Sequence, residues 1–485
     1  MEQFTLCFLP ANLSVQVSGG TVLQAMIKAR LHPDAPCGGL GTCQKCLVHV
    51  DGKQVLACQT IADRNMTVLI PREKDAQILT QGITVSATPD QKHRYAIAFD
   101  IGTTTVVAYL MDGLSGHLLV QKSCVNPQTQ YGADVISRIQ HALTDPDTLQ
   151  NCIRSALYTL TKEVSQEAGI DSYEISAACI VCNTAMHHLL LGIDPKPLVT
   201  PPYMPEVREA MVFPTEGLLP ISGLVKILPN IAGFVGSDTV GCMAATRFDK
   251  VKELTLMIDI GTNGEMVLGN NSRRIACSTA AGPAFEGAKI SCGMRGAAGA
   301  IDHVWQDNGQ VRYHVIGNEK ALGLCGSGLL DLIAVLLDLG IIDESGAMEE
   351  TEYQLADTPV TLTRKDVREV QLAKAALRAG IELLAEKMGV TVSDIQKVYL
   401  AGAFGNYLNP ASACRIGMIP PVLEDRIVPI GNAAGEGAKL CVLSMEQFEY
   451  SKRLAAETDF LELASMPQFQ DCYVDALEFS EEAFQ

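Results

Sequence analysis

Four cysteines near the start of the chain have a spacing typical of iron–sulfur ligands. Cys37, Cys43 and Cys46 form a C-x5-C-x2-C pattern, and Cys58 follows them. Four thiolates, two for each iron, are what a [2Fe–2S] cluster requires. The glycines between Cys37 and Cys43 suit a loop that wraps closely around inorganic sulfide, because a residue without a Cβ adopts positive φ and lets backbone amides approach sulfur. The pattern predicts an electron-transfer module.

Zinc and purely structural thiols are the alternative interpretations of these cysteines. A zinc ribbon prefers two C-x2-C pairs, and this region has one, set within a glycine-rich loop. The flanking segments favour the iron–sulfur interpretation, because they predict a small ferredoxin-like β-grasp domain. Its strands are predicted at 4–9, 13–17, 46–50 and 66–70, and its helix at 22–27.

The composition restricts the class of protein further. The 485 residues include 16 cysteines and carry a net charge of −18. The negative charge argues against nucleic-acid binding, which needs a basic surface. Residues 1–20 do not resemble a signal peptide, and the apolar stretch 321–342 is interrupted by Asp331 and Asp338, so we expect no membrane span. The remaining cysteines fit core positions in a reducing compartment, and we expect a cytoplasmic protein.

Two segments with the same plan predict a nucleotide site. Residues 96–108 and 256–268 each consist of a buried strand, an aspartate, a polar turn and a second strand. An aspartate at a strand end can reach a hydrated Mg²⁺, and the amides and hydroxyls that follow can donate to phosphate oxygens. The repetition indicates two lobes with a nucleotide between them. The predicted residues are Asp100, Gly102, Thr103, Thr104, Thr105, Asp259, Gly261, Thr262, Asn263 and Gly264.

Three further glycine-containing segments complete the predicted nucleotide site. A strand that ends at residue 402 in a glycine turn is suited to support a ribose and a purine. A helix that begins at residue 326 is predicted to be a hinge between the lobes, and a small-residue helix start at 431–438 is predicted to pack near the base. The residues assigned from these segments are Gly326, Ser327, Gly402, Ala403, Phe404, Gly405, Asn406 and Gly435. The stretch 282–291 looks like a Walker A loop but has an extra alanine before its lysine, so we assign no phosphate to it.

These motifs resemble the superfamily of acetate and sugar kinases, Hsc70 and actin. Asp238 lies shortly before the second phosphate motif, where carbohydrate kinases of this superfamily have their catalytic aspartate. The resemblance implies that Asp238 orients the attacking water and that Asp259 helps to hold Mg²⁺. The alternative is that Asp238 caps a helix N-terminus, and the two roles are compatible.

An iron–sulfur domain joined to such an ATPase resembles the reductive activators of corrinoid proteins. The segments 183–192, 280–295 and 430–435 add to this likeness, which covers nearly the whole chain. The resemblance implies ATP-dependent reduction of corrinoid Co(II) to Co(I), with a [2Fe–2S] cluster, ATP and Mg²⁺. It implies two partners, namely a corrinoid protein of a methyltransferase system and an upstream donor such as a ferredoxin or flavodoxin, and it is compatible with a homodimer.

The predicted fold class is therefore α/β, with duplicated ribonuclease-H-like lobes of the actin/Hsc70 type behind an α+β ferredoxin-like domain. We place the [2Fe–2S] domain at 1–73, a linker at 74–94 and the ATPase at 95–485. Within the ATPase we place lobes at 95–255 and 256–450 and a C-terminal extension at 451–485.

Three other functions compete with reductive activation of a corrinoid protein. An activator of the 2-hydroxyacyl-CoA dehydratase type shares the ATPase superfamily, but such activators lack a ferredoxin-like domain. A non-catalytic, nucleotide-gated redox sensor would contain both modules and transfer no electron. A simple kinase would need a sugar-binding surface, which nothing in the sequence marks.

Overall fold

A computed structural model describes residues 3–9, 13–29, 31, 35, 39, 41, 46–70, 83 and 88–479. These residues form a small N-terminal sheet, two large sheets and surrounding helices. The strands are β1 (Phe4–Leu9), β2 (Leu13–Val17), β3 (Leu47–Val50), β4 (Lys53–Leu56), β5 (Met66–Leu69), β6 (Tyr95–Ile101), β7 (Thr105–Asp112), β8 (Leu118–Val125), β9 (Ile175–Cys182), β10 (Met211–Pro214), β11 (Leu224–Ile227), β12 (Thr255–Ile260), β13 (Gly264–Gly269), β14 (Arg274–Thr279), β15 (Ala300–Asp307), β16 (Gln310–Val315), β17 (Gly323–Leu324), β18 (Glu352–Gln354), β19 (Thr361–Thr363), β20 (Lys397–Ala401), β21 (Ile427–Gly431) and β22 (Thr458–Phe460). The helices are α1 (Val22–Lys28), α2 (Val135–Ala142), α3 (Pro146–Ala168), α4 (Thr184–Leu191), α5 (Ser237–Ala245), α6 (Gly326–Asp338), α7 (Arg364–Met388), α8 (Gly402–Tyr407), α9 (Pro410–Arg415), α10 (Ala433–Leu443), α11 (Met445–Ala456) and α12 (Pro467–Asp475).

The N-terminal sheet has the strand order β2-β1-β5-β3-β4, with β1 and β5 parallel. Alternate residues of its strands, such as Leu6 and Phe8, are buried in one core with the inner face of α1. Thr21 begins α1 with a capping box, in which its hydroxyl oxygen accepts the Gln24 N–H at 3.2 Å. The strands predicted at 4–9 and 13–17 coincide with β1 and β2. Strand β4 was not predicted, because its first two residues are polar and exposed.

The two large sheets share one strand plan. Their orders are β10-β11-β9-β6-β7-β8 and β21-β20-β12-β13-β14-β22. In each sheet three consecutive strands run antiparallel, β6 to β8 and β12 to β14. The next strand, β9 or β20, lies parallel to the first of the three. Asp100 and Asp259 hold the same place, one residue before the end of β6 and of β12. The duplicated α/β fold predicted from the sequence is confirmed.

Helices cover both sheets and also fill the space between them. Apolar residues of α2, α3 and α4 form a core with one face of the first sheet, and α6 and α7 form a core with the second sheet. Residues of α5, α10 and α11 join a third core that includes both sheets. Helices α5 and α10 touch at their backbones, since a Cβ on Gly437 would collide with the carbonyl group of Gly241. Helix α6, which is predicted to be a hinge, packs on β15 and α9, whereas α5 and α10 lie between the sheets. The hinge role of α6 stays a prediction.

The predicted division into domains stays a prediction. Its boundary at residue 450 falls within α11, and β22 beyond that boundary pairs with β14 of the second sheet. Most of the predicted linker at 74–94 lies outside the described residues, although the Ile83 N–H donates to the Ile430 carbonyl at 3.1 Å. None of the helices in the described ranges has both the length and the apolar character needed to cross a membrane.

Candidate functional site

A cleft of about 310 Å³ lies between the two large sheets. It forms where β6 and β12 end, so that both aspartate-containing turns contribute to its walls. The predicted residues that line it are Asp100, Gly102, Thr103, Thr104, Thr105, Asp238, Asp259, Gly261, Thr262, Asn263, Gly326, Ser327, Gly402 and Phe404. The duplicated motifs and the third glycine segment therefore meet in one place, although they are far apart in the sequence.

Three aspartates, Asp100, Asp238 and Asp259, share this cleft. Burial raises the pKa of Asp100 to about 6. Burial and the negative charge of Asp100 together raise the pKa of Asp259 to about 7. Burial and the charge of Asp259 also raise the pKa of Asp238. Carboxylates this close in a low-dielectric site repel one another, and a divalent cation bound through water would relieve that repulsion.

Asp238 lies in the first turn of α5, one residue after the start of the helix. The N-cap is Gly236, and Asp238 Oδ1 accepts the N–H of the adjacent Thr239 at 2.8 Å. The helix-cap alternative for Asp238 is therefore wrong, and its carboxylate lines the cleft beside Asp259. Its role in orienting a water stays a prediction.

Each of the two phosphate-motif turns is closed by a backbone hydrogen bond from its glycine. The Gly102 N–H donates to the Thr105 carbonyl at 2.8 Å, and the Gly261 N–H donates to the Asn263 carbonyl at 2.9 Å. Both turns thereby direct short polar side chains into the cleft. In the first turn, Asn183 Nδ2 donates to Thr103 Oγ1 at 3.0 Å.

One carboxylate joins the two turns. Thr104 Oγ1 donates to Glu286 Oε2 at 2.5 Å, and Thr262 Oγ1 donates to Glu286 Oε1 at 2.7 Å. Glu286 thus takes one hydrogen bond from each half of the duplicated fold. Two of the four threonine hydroxyls that the sequence predicts at the phosphate motifs, one from each motif, therefore donate to this single side chain.

Aromatic rings and glycines form the other wall of the cleft. Phe404 stacks on Phe285, with the ring centroids 4.9 Å apart and the planes 3° from parallel. Gly402 has φ +83°, and a Cβ on it would lie 2.6 Å from Asp259 Oδ1. The Ser327 hydroxyl donates to the Asp302 carbonyl at 2.8 Å. The two rings give this wall a flat apolar surface, and its glycines let the backbone approach the cleft closely. Both features suit the binding of a nucleoside.

Some predicted residues do not reach the cleft. Those outside its lining are Gly264, Gly405, Asn406 and Gly435. Gly264 lies in β13, where a Cβ would collide with the side chain of Leu377. Gly435 lies in the first turn of α10, where a Cβ would lie 2.6 Å from the hydroxyl of Tyr109. Their small size serves packing beneath the site. Ala403 lies with Gly405 and Asn406 in α8, so that the predicted glycine turn is the start of a helix.

Several lining residues were not predicted from the sequence. The polar, charged and large ones among them include Asn183, Glu265, Phe285, Glu286, Met294, Arg295, Asp302, Tyr407 and Asn432. Asn432 Nδ2 donates to Asp100 Oδ2 at 2.8 Å, and Asn432 also caps α10. Most of these residues lie in or directly beside segments that the sequence had singled out. Which residue of each segment faces the cleft depends on contacts with residues that are distant in the sequence.

The stretch that looks like a Walker A loop makes different contacts from a phosphate loop. Its lysine, Lys289, pairs with Glu369, with Nζ 3.6 Å from Oε2. The Ser291 N–H donates to Asp366 Oδ1 at 2.7 Å. Neither Lys289 nor Ser291 lines the cleft.

The cysteine loop is described in part. Cys37 and Cys43 lie outside the described residues, whereas Cys46 and Cys58 are both buried. The backbone brings these two segments together, since the Ala57 N–H donates to the Cys46 carbonyl at 2.8 Å.

Two glycines of the cysteine loop have the conformation that a close wrap requires. Gly39 has φ +89° and Gly41 has φ +78°. A Cβ on Gly39 would lie 3.1 Å from the Leu23 side chain and 3.9 Å from Cys58 Cβ. These residues fit a loop closed against Cys58. Within the described part of the chain, no three His, Cys, Asp or Glu side chains are grouped to hold a metal ion directly.

Two protein families match most of this chain. The family "C-terminal domain of RACo the ASKHA domain" matches residues 253–485, and "RACo middle region" matches residues 95–251. The corrinoid activation enzyme RamQ of Eubacterium limosum is 34% identical over 552 aligned residues, which cover 90% of this chain and 92% of RamQ. This chain belongs to the family of reductive activators of corrinoid proteins.

Two further comparisons agree with the family. The [Co(II) methylated amine-specific corrinoid protein] reductase of Methanosarcina barkeri is 26% identical over 426 residues, covering 79% of this chain and 77% of that one. A solved structure described as a reductive activator for a corrinoid, iron–sulfur protein has a TM-score of 0.72 at 29% identity and covers 98% of both chains. The resemblance seen in the sequence is confirmed. The activator has an ASKHA-type ATPase fold, which implies nucleotide binding.

Proposed function

We propose that this activator uses ATP, bound with Mg²⁺ in the cleft, to reduce the Co(II) of a corrinoid protein in a methyltransferase system to Co(I). One observation carries the proposal. Two matched aspartate-and-threonine turns face a single cleft in a chain that also contains a four-cysteine loop. We place the reaction in the cytoplasm, with a ferredoxin or flavodoxin as the upstream donor.

The proposed nucleotide site uses side chains from both halves. The hydroxyls of Thr104 and Thr262 and the amides of their turns donate to phosphate oxygens. Asp100 and Asp259 hold the waters of a hydrated Mg²⁺, an ion that would neutralise charge on the phosphates. Asp238, at the same end of the cleft, orients the water that attacks the terminal phosphate. Phe285 and Phe404 support the purine.

The proposed coupling between nucleotide and reduction depends on movement between the two sheets. Helices α5 and α10 lie between the sheets and touch through glycine backbones, and we place the change of angle at this crossing. Nucleotide shifts such an equilibrium only if it binds one arrangement more tightly than the other. Each tenfold shift of a one-electron equilibrium corresponds to about 59 mV, or about 1.4 kcal/mol.

The proposed ligands of a [2Fe–2S] cluster are Cys37, Cys43, Cys46 and Cys58. When bound, such a cluster supplies a carrier of single electrons. Burial of Cys46 and Cys58 keeps their thiolates away from water. Gln59 Nε2 lies 3.8 Å from Cys58 Sγ, as a donor to the sulfur, and hydrogen bonds to ligand sulfurs tune the potential of such centres.

The experiment that tests this function measures phosphate release from ATP with and without corrinoid proteins. The full chain, reconstituted with iron and sulfide under anaerobic conditions, is mixed with Co(II) corrinoid proteins from several methyltransferase systems. We expect slow hydrolysis alone and faster hydrolysis with at least one of them, since linkage requires partner and nucleotide to affect each other reciprocally. Stimulation by none of them would contradict the proposal and favour a redox sensor.

A further inference from the structure

Glu286 occupies the position that the proposed function gives to nucleotide phosphate. Its two carboxylate oxygens accept hydrogen bonds from Thr104 Oγ1 at 2.5 Å and from Thr262 Oγ1 at 2.7 Å. A carboxylate and a phosphate both present anionic oxygens to hydroxyl donors. A hydroxyl has one proton to donate, so each threonine can serve Glu286 or a phosphate, but not both.

An unsatisfied cation lies near this carboxylate. Arg138 in α2 has no exposed surface, and in the described part of the chain its Nη2 has no hydrogen-bond acceptor. Its Nε donates to the Gly132 carbonyl at 2.9 Å, and Nη1 lies 3.5 Å from Met186 Sδ, a weak acceptor. A buried guanidinium normally has an anionic partner, because an unpaired charge in the interior is costly.

The charges around Arg138 indicate its partner. Burial lowers the pKa of Arg138 to about 9, and the negative charges of Glu286 and then Asp134 partly offset that effect, whereas Arg295 adds to it. Glu286 is thus the acidic group that interacts most strongly with Arg138, although its oxygens are held by the two threonines and the two side chains form no direct ion pair.

The loop that carries Glu286 is connected to other parts of the site. Phe285, the preceding residue, stacks on Phe404. The Gly282 N–H donates to the Thr262 carbonyl at 2.9 Å, and further along the chain Met294 and Arg295 line the same cleft. Movement of Glu286 would therefore displace residues at both ends of the nucleotide site.

We propose that Glu286 is a nucleotide-displaced latch: it holds the two phosphate-motif threonines in the nucleotide-free chain and transfers to Arg138 when a nucleotide phosphate takes their hydroxyls. This inference rests on the proposed function, because it requires nucleotide in the cleft. The latch joins the two halves through one side chain and releases them when phosphate arrives. It also makes the position of the 282–296 loop depend on the nucleotide.

The test measures nucleotide dissociation constants by calorimetry for the full chain and for Glu286→Gln. Glutamine keeps the shape and removes the charge that competes with phosphate. We expect ADP and a non-hydrolysable ATP analogue to bind roughly tenfold more tightly to this variant, the size of effect that loss of one nearby like charge can give in a partly screened cleft. Adenosine, which has no phosphate, should bind both proteins equally. Glu216→Gln, at an exposed glutamate, is the matched control and should change nothing.

A second variant tests the transfer to Arg138. Arg138→Met should weaken binding of the ATP analogue in the wild-type background and have a smaller effect in the Glu286→Gln background, since the displaced group is then neutral. If Arg138→Met does not fold, the nucleotide affinities of Glu286→Gln are sufficient to test the latch. Equal or weaker binding of phosphate-bearing nucleotides by Glu286→Gln would overturn the latch. A wild-type chain that bound no nucleotide would overturn the proposed function itself, and the latch with it.

Discussion

Gly402 and Asp259 approach each other so closely that residue 402 has no room for a side chain. A Cβ at 402 would lie 2.6 Å from Asp259 Oδ1, and Gly402 has φ +83°, a conformation that residues with a side chain rarely adopt. Asp259 lies in β12, and Gly402 directly follows the parallel neighbouring strand β20, whose last residue, Ala401, pairs in register with Asp259. The start of α8 thereby fixes the carboxylate that we assign to magnesium.

Replacement of Gly402 by alanine should therefore displace the Asp259 carboxylate. We expect Gly402→Ala to reduce ATP turnover by roughly tenfold or more. Gly389→Ala is a matched control, because Gly389 also has positive φ, +74°, but nothing lies within 4 Å of its added Cβ. The control should cost about 1–2 kcal/mol of stability from backbone strain and leave turnover unchanged. Equal loss of turnover in both variants would show that strain alone is responsible.

The three aspartates of the cleft should have separable effects on hydrolysis. We expect Asp100→Ala and Asp259→Ala each to reduce turnover by roughly a hundredfold, because both lose a group that holds hydrated magnesium. Asp238→Asn should lower kcat far more than it raises KM, since it keeps the shape but loses the base that orients water. The visible spectrum of the iron–sulfur centre should be unchanged in all three. Normal hydrolysis by Asp238→Asn would remove its assigned role.

The raised pKa values of Asp100 and Asp259 predict a pH dependence of stability in the nucleotide-free chain. A folded-state pKa of about 6 or 7 means that the folded chain binds more protons than the unfolded chain between pH about 4 and pH about 7. The free energy of unfolding should therefore fall as the pH rises through that window.

Urea denaturation across this window measures the effect. Asp259→Asn should flatten the decline, because asparagine does not titrate, whereas Asp357→Asn, at an exposed aspartate, should not. Magnesium and nucleotide should restore stability at neutral pH by neutralising the carboxylates. An unchanged slope in Asp259→Asn would contradict the burial and mutual repulsion of the carboxylates in the cleft.

The cysteine assignment predicts a specific pattern of iron binding. Cys58→Ser should lose most of the bound iron and the absorption bands of the centre, because Cys58 is one of the four proposed ligands. Cys7→Ser is the control. Cys7 lies in β1 of the N-terminal sheet and accepts a weak hydrogen bond from the Ser14 hydroxyl at 3.4 Å. Zinc in place of iron in the wild-type chain would contradict the assignment.

The parts of the fold that depend on local pattern could be predicted from the sequence. Strands β1 and β2 have clear alternation, and the aspartates of β6 and β12 stand out because each is followed by isoleucine, glycine and threonine in that order. Features that depend on a distant partner could not be predicted. Glu286 receives its two hydrogen bonds from turns that begin far away at Gly102 and Gly261.

The sequence leaves the predicted hinge role of α6 open for a similar physical reason. An apolar helix that begins with glycine looks the same in sequence whether it moves between lobes or packs in one core, and the apolar residues of α6 lie in the core of the second sheet. The crossing of α5 and α10 depends on Gly241 meeting Gly437, a contact between two ordinary small-residue helices.

The yield of Co(I) shows whether ATP drives reduction of the corrinoid protein. The reconstituted chain, a chemical reductant and a Co(II) corrinoid protein that stimulates hydrolysis are combined anaerobically, and loss of the Co(II) band is followed together with growth of the Co(I) band. We expect Co(I) to form only with ATP and Mg²⁺ present, and to be nearly absent with Cys58→Ser or Asp259→Ala. Cys58→Ser should still hydrolyse ATP, because the two sites are separate. An equal yield of Co(I) without ATP would contradict the account.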